Sequence, residues 1–251
     1  MQKLHEDIEF VEHKRECSYF THELSDMRYR YINKCTTEDY QNMLVHGWRR
    51  FGKMHFVPEC EGCNKCISMR IDVKKYKFTN SEKRVMSKNS DTKIFIQNPS
   101  LSIEHLKLYD KYHAFMHGKK NWTYVPIDPT EYNRSYVEGK LSFAREILYV
   151  RDDKLVGVAI SDILPKSISS IYCYYDHEYE KFSLGKYSIL VQIKIAKELN
   201  IPYIYLGYWI KDHLSMGYKE NYQPFEILVN RSPLKKMAFW KVYDPKLDSF
   251  K

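Results

Sequence analysis

A mixed α/β fold, with a smaller cysteine-containing region ahead of a larger sheet domain, is what this sequence predicts. Three observations predict it. Residues 146–208 read as strand, strand, strand, helix, strand, and a helix crossing between two strands of one sheet implies a right-handed connection. Hydrophobic residues make up 43% of 251 positions, enough for a real core in one large domain or two smaller ones. A cysteine run and a basic stripe both fall before residue 95, which divides the chain into an N-terminal region over 1–95 and a sheet domain over 96–251.

The elements follow in chain order. Thr36 and Asp39 stand at capping positions for a helix whose Tyr40, Met43, Leu44 and Trp48 share one face. Residues 54–57 and 67–73 read as strands; in the second, Ile67, Met69, Ile71 and Val73 alternate with polar residues. Ser81 is a candidate cap for a short basic helix ending near Asn89. Ser102 is one for a longer helix with Ile103, Leu106, Tyr109, His113 and Met116 at helical spacing. Strands over 146–150 and 155–160 flank a hairpin signal at residues 151–154, and a strand over 168–175 follows. Ser183 then opens a helix with Leu184, Tyr187, Val191, Ile195 and Leu199 on one face, ended by Asn200. Residues 201–206 form an apolar strand of the buried type. This order suits an N-acetyltransferase-like fold, a mixed sheet that splays to admit an acyl donor. Such folds hold coenzyme A phosphates with a glycine-rich turn at the helix start. The turn here, residues 182–186, has Gly185 alone beside Ser183, which argues against coenzyme A and leaves room for another acyl carrier.

Charge is unevenly spread within the net +8. Residues 1–48 carry six Lys/Arg against nine Asp/Glu, residues 49–93 carry twelve against five, and the last 21 residues carry six against two. A basic stripe suits a polyanion, since each neutralised phosphate releases counterions; a solvated basic face is the plainer reading. The 22 tyrosines include candidates for stacking on unpaired bases, though most sit in strand patterns and read as core. No stretch reaches the roughly 18 apolar residues of a membrane span, and the first 17 residues have no apolar signal region. The expected compartment is the cytoplasm, where cysteines stay thiols or bind metal. Cys60, Cys63 and Cys66 form C-x-x-C-x-x-C, and Cys17 is the natural fourth ligand for a structural zinc or an iron–sulfur cluster. The alternative is buried thiols without metal, the reading given to Cys35 and Cys173.

The chain then presents a series: residues 156–165, 169–172 and 174–176, Ser183-Leu184-Gly185, residues 205–210, Met216-Gly217-Tyr218-Lys219, and Pro224. In order and spacing this resembles the catalytic half of the arginyl-tRNA–protein transferase family. Cys17-Ser18-Tyr19, residues 47–52, the cysteine run, residues 68–71 and residues 81–84 resemble the compact bacterial branch, the aspartate/glutamate leucyltransferases. The resemblance covers roughly residues 15–230; His213 departs from it, standing where many relatives have cysteine.

The resemblance implies leucine transfer from leucyl-tRNA to proteins that begin with Asp or Glu, with no cofactor needed for the chemistry. An activated ester and an amine need proximity, oxyanion donors and a route for one proton. The candidates are Asp162 to orient the amine or relay its proton, and Tyr208 and Tyr218 to donate to the oxyanion. Lys219 and Arg84 are candidates for the acceptor's carboxylate, Arg49, Arg50, Lys83 and Lys88 for phosphates, and Ser183 and Gly185 at the helix start for substrate binding. Each has a plainer reading as a cap, a core hydroxyl or a surface ion pair. The competing functions are arginine transfer, a non-catalytic zinc-dependent RNA-binding protein, and a coenzyme A-dependent acetyltransferase.

Overall fold

The computed structural model describes residues 7–138 and 141–248. Strands β1 (Ile8–Glu16), β2 (Leu24–Tyr31), β3 (Arg49–Phe51) and β4 (Met54–Pro58) form a four-stranded antiparallel sheet in the order β1-β2-β4-β3. The remaining strands are β5 (Ile67–Asp72), β6 (Lys93–Gln97), β7 (Ala144–Arg151), β8 (Lys154–Leu164), β9 (Ser167–Tyr175), β10 (Tyr203–Trp209), β11 (Phe225–Leu228) and β12 (Trp240–Val242). They form an eight-stranded sheet in the order β12-β11-β5-β10-β9-β8-β7-β6. The division expected at residues 95/96 falls inside β6, whereas the chain changes sheets between β4 and β5. The alternation seen in β5 explains this: Ile67, Met69 and Ile71 are buried with Ile189, Leu190 and Ile193 in one core cluster.

Helices α1 (Thr37–Val45), α2 (Asn80–Lys88), α3 (Ile103–Lys120), α4 (Pro129–Tyr132) and α5 (Leu184–Glu198) cover both faces of the large sheet. On β10, Ile204 and Leu206 pack against α5, while Tyr205 packs on the other face with Tyr40, Met43 and Leu44 of α1. α2 lies beside α5, with Val85 and Met86 against the same cores. α3 covers Val158, Ile160 and Tyr174.

The caps follow local chemistry. Thr36 accepts the Asp39 N–H at 3.0 Å and Ser102 the His105 N–H at 3.3 Å, as expected. The α2 cap is Thr79 rather than Ser81. Thr79 accepts the Glu82 N–H at 3.3 Å and Glu82 accepts the Thr79 N–H at 2.8 Å, a reciprocal box that Ser81 has no partner to form. On α3 the buried stripe is Leu108, Tyr112 and Met116, shifted from the expected one, and Ile103 is exposed. Asp152 and Asp153 both take positive φ, the two-residue turn that matches the twist of β7 and β8.

The arrangement that matters most is the pair β9–β10, which is parallel and joined through α5. The two strands pair only from Tyr203 to Tyr205, against Ser167 to Ser169. Beyond that, β9 stays with β8 as far as Tyr175 and β10 stays with β5 as far as Trp209. The strands therefore part from Ser170 and Leu206 onward, the splayed mixed sheet expected of an N-acetyltransferase-like fold.

Candidate active site

A cavity of about 360 Å³ opens where β9 and β10 part. Ser170 and Ile171 line it from β9, Gly207 and Tyr208 from β10, and Phe51 and Phe56 from the small sheet. Lys219 completes it from a short 3₁₀ turn, Gly217–Asn221, together with Met216 just before that turn. This is the region past the paired part of the strands, where open α/β sheets take their ligands.

Lys219 is 7% exposed. Its Nζ donates to the Tyr208 carbonyl at 2.5 Å, and no carboxylate pairs with it among the described residues. Burial, and then the positive charge of Arg49, push its amine down to about 7. Near neutral pH such an amine exists in both forms, which suits a group that takes and returns a proton.

Arg49 enters the opening from β3. Its Nη2 donates to the Ser170 carbonyl, an acceptor that the parting of β9 from β10 leaves available. Its other side is Gly207, which sits in a bulge of β10 with φ +81. A Cβ added there would lie 3.4 Å from Arg49 Nε, so glycine serves both the backbone conformation and the close approach of the guanidinium. Arg50, next in sequence, points elsewhere. Its Nε donates to Asp162 Oδ2 at 2.9 Å, its Nη2 to the other carboxylate oxygen, and its Nη1 to the Gly52 carbonyl at 2.8 Å. The pair is 3% and 0% exposed.

The expected site residues are thus only partly gathered. Lys219, Tyr208, Arg49 and Arg50 line the cavity together. Asp162 does not; both its oxygens are held by Arg50, so it fixes β3 against β8 instead of facing an amine. The Tyr208 hydroxyl donates to the Gly47 carbonyl at 3.0 Å, and burial raises its pKa. That proton is already committed, which leaves Tyr208 a wall more than an oxyanion donor. Tyr218 is 48% exposed and outside the lining. Lys83, Arg84 and Lys88 are exposed on α2, on the α5 side of the sheet, and Arg84 donates to the Asn80 carbonyl at 3.3 Å. An arginine there cannot serve as an acceptor cation in a cavity on the opposite face. Ser183 begins α5 with φ 53 and without a side-chain cap bond, while Gly185 lies against Tyr175; neither lines the cavity.

Cys17, Cys60, Cys63 and Cys66 all line this same cavity, a placement that the C-x-x-C-x-x-C spacing alone did not reveal. Their donor chemistry fits zinc or an iron–sulfur cluster. Among the described residues, however, no three His, Cys, Asp or Glu side chains converge closely enough to hold an ion. Cys66 is pushed up to about 12, chiefly by burial, so its thiol holds a proton that a bound metal would displace. The tetrahedral convergence expected from the spacing is therefore not formed, and no step below runs through a metal. Tyr19 and Met216 also line the cavity without having been expected to. The loop holding Tyr19 is tied by its carbonyl to His213 Nε2 at 3.1 Å, which gives the departing histidine a structural task.

Two family models match the chain. Residues 15–84 match that described as arginine-tRNA-protein transferase, N terminus, and residues 104–229 match its C-terminal counterpart. The chain is 43% identical over 237 residues to an aspartate/glutamate leucyltransferase of Helicobacter hepaticus, covering 94% of this chain and 98% of that one. It is 46% identical over 222 residues to the enzyme of the same name from Campylobacter jejuni, covering 88% and 93%. Among solved structures, FemX aligns over 74% of this chain and 65% of its own, at 10% identity and a TM-score of 0.48.

Proposed function

This chain belongs to the arginine-tRNA-protein transferase family, and on that footing we propose that it moves leucine from leucyl-tRNA to the N-terminal α-amine of proteins that begin with Asp or Glu. The product would carry a new N-terminal leucine, a signal for degradation. The observation that carries this reading is Lys219, a buried amine lowered to about 7, in the cavity where the strands part.

The chemistry balances around that amine. The acceptor's α-amine, with an ordinary pKa of about 7.7–8.0, attacks the ester carbonyl carbon in its neutral form. A carbon–nitrogen bond forms, the ester carbon–oxygen bond breaks, and neutral Lys219 takes the proton that nitrogen loses and returns it to the departing ribose oxygen. No covalent enzyme intermediate is needed. The cavity holds the two substrates together, which supplies most of the acceleration.

Leucine is favoured over arginine by the lining. Met27, Phe51, Met54, Phe56, Ile171 and Leu206 offer apolar surface. The one carboxylate among the described lining residues, Glu23, is partly exposed and paired with Lys65 at 3.0 Å, so the described lining holds no buried carboxylate to receive a guanidinium. Among the described residues no helix is long and apolar enough to cross a membrane, and the cytoplasm, where charged tRNA is made, is the compartment this reading requires. A zinc or iron–sulfur role for the cysteines rests on donor chemistry alone; elemental analysis of protein purified without oxygen decides it.

Incubation with a full set of charged tRNAs and peptides beginning with Asp, Glu or Gly is the direct test. Mass spectrometry is expected to find one leucine added to the Asp and Glu peptides alone. Addition of arginine, addition to the Gly peptide, or no addition would each overturn the proposal in a different part.

A further inference from the structure

Among the described residues two arginines are buried, Arg49 at 8% and Arg50 at 3% exposed. Arg50 has its counter-ion in Asp162. Arg49 forms no ion pair with any described carboxylate: its Nη2 uses a backbone carbonyl, and its Nη1 is buried with no acceptor. A buried guanidinium without a counter-charge is costly, because the hydration lost on burial is not replaced. Such a group is commonly retained where an anion arrives to complete it.

We infer that Arg49 holds the side-chain carboxylate of the acceptor's first residue, and so sets the preference for Asp and Glu. The assignment rests on the transfer reaction proposed above and moves the acceptor cation from Lys219 to its neighbour. The geometry supports the exchange of roles. Lys219 Nζ sits on the Tyr208 carbonyl, and the Arg49 guanidinium lies over Gly207, the adjacent residue of β10. An N-terminal Asp or Glu carries its carboxylate two or three carbons from the attacking amine. One residue can therefore present its amine to Lys219 and its carboxylate to Arg49. A guanidinium suits the second task, since it stays charged and offers a planar fork to a carboxylate, whereas an amine lowered to about 7 is charged only part of the time. A phosphate of the tRNA end is the less suitable anion. It is hemmed in by ribose on both sides and separated from the ester by a whole nucleoside, while Arg49 lies beneath the parted strands.

The test uses binding, so that it stands apart from turnover. Affinities of full-length protein for an Asp-initiated peptide and its Asn-initiated twin are measured by calorimetry without tRNA, for wild type, Arg49→Gln and Arg49→Lys. Wild type is expected to prefer the Asp peptide about tenfold to a hundredfold, the range of one charge-assisted contact. Arg49→Gln should bring the two peptides level, and Arg49→Lys should restore part of the preference. Arg49→Lys keeps a charge in the same place, so it remains informative if loss of the Ser170 contact unfolds the glutamine variant. A preference that survives in Arg49→Gln overturns the inference, as does equal binding of both peptides by wild type. Loss of uncharged tRNA binding in Arg49→Gln, with the peptide preference intact, would assign Arg49 to the donor. A wild type that prefers the Asp peptide but adds no leucine to it would overturn the proposed reaction and leave the carboxylate site standing.

Discussion

Lys219 has a consequence at the level of one titrating group. Its amine is lowered from the usual lysine range, near 10.4, to about 7 by burial and by Arg49. Between those limits the unfolded chain binds the extra proton and the folded chain does not, so stability rises with pH across that interval. Below about pH 7 both states are protonated and the slope vanishes. Lys219→Met is expected to flatten the rise in urea midpoint between about pH 7 and pH 10. The same variant should lose the part of kcat/KM that Lys219 supplies, and its remaining pH dependence should follow the peptide's α-amine alone. An unaltered profile would remove Lys219 from the proton's route. The Arg50–Asp162 pair makes a second residue-scale prediction. Both partners are buried, and Asp162→Asn leaves a guanidinium without its charge partner. Such breaks cost about 3–5 kcal/mol, to be read from urea unfolding, whereas replacing both partners with apolar residues of similar volume should cost less. Neither role could be read from Trp48-Arg49-Arg50-Phe51, because adjacent residues of a strand look alike in sequence until the neighbouring strands are in place.

At the scale of elements, the cap of α2 makes the simplest test. Thr79→Ala removes the acceptor of the Glu82 N–H and should lower stability by about 1 kcal/mol, while Ser81→Ala should leave the midpoint nearly unchanged. Thr79-Asn80-Ser81-Glu82 contains the box in its spacing, with the cap hydroxyl at Thr79 and the reciprocal carboxylate three residues on at Glu82. Elsewhere an element is legible where its periodicity is enforced by burial on a defined face. α1 has that property, with Tyr40, Met43 and Leu44 buried; β8 and α5 are legible instead as long apolar runs buried over most of their length, and the hairpin between β7 and β8 by its exposed Asp152 and Asp153. β1 has none of these. Most of Ile8–Glu16 is exposed on both faces, so charged and apolar residues fall without alternation, and pairing with β2 is what makes it a strand. β6 is likewise an exposed edge, fixed by its ladder with β7. The parting of β9 and β10 was legible only as a property of a fold class. Its position depends on where the ladder stops, after Tyr205, and that is settled by the bulge at Gly207 and the arginine lodged beside it.

For the whole molecule the question is how a polyanion much larger than the cavity would approach it. The chain carries 40 Lys and Arg against 32 Asp and Glu, and two basic segments compete for the role. One is α2, expected from sequence, with Lys83, Arg84 and Lys88 exposed; it rides beside α5, on the sheet face away from the small sheet and the cavity. The other begins at Arg231. That guanidinium donates to the Cys66 carbonyl and lies 5.8 Å from the centre of the Tyr208 ring, so it touches two residues of the cavity wall. Lys235 and Lys236 follow, both exposed, and the Lys236 carbonyl is tied to His46 Nε2 at 2.8 Å, which holds the segment near the small sheet. For a tRNA whose 3′ end reaches the cavity, this second segment is the basic stretch that adjoins the cavity wall. Each phosphate contact contributes roughly 0.7–0.9 to the slope of log K against log salt. Lys235→Ala combined with Lys236→Ala is therefore expected to reduce the slope for uncharged tRNA by roughly 1.4–1.8, and Lys83→Ala with Arg84→Ala to reduce it by much less. Filter binding across a salt series measures both. A larger loss in the α2 pair would mean that the RNA wraps around the edge of the sheet to reach the cavity, and would return the RNA surface to the stripe that the sequence first marked out.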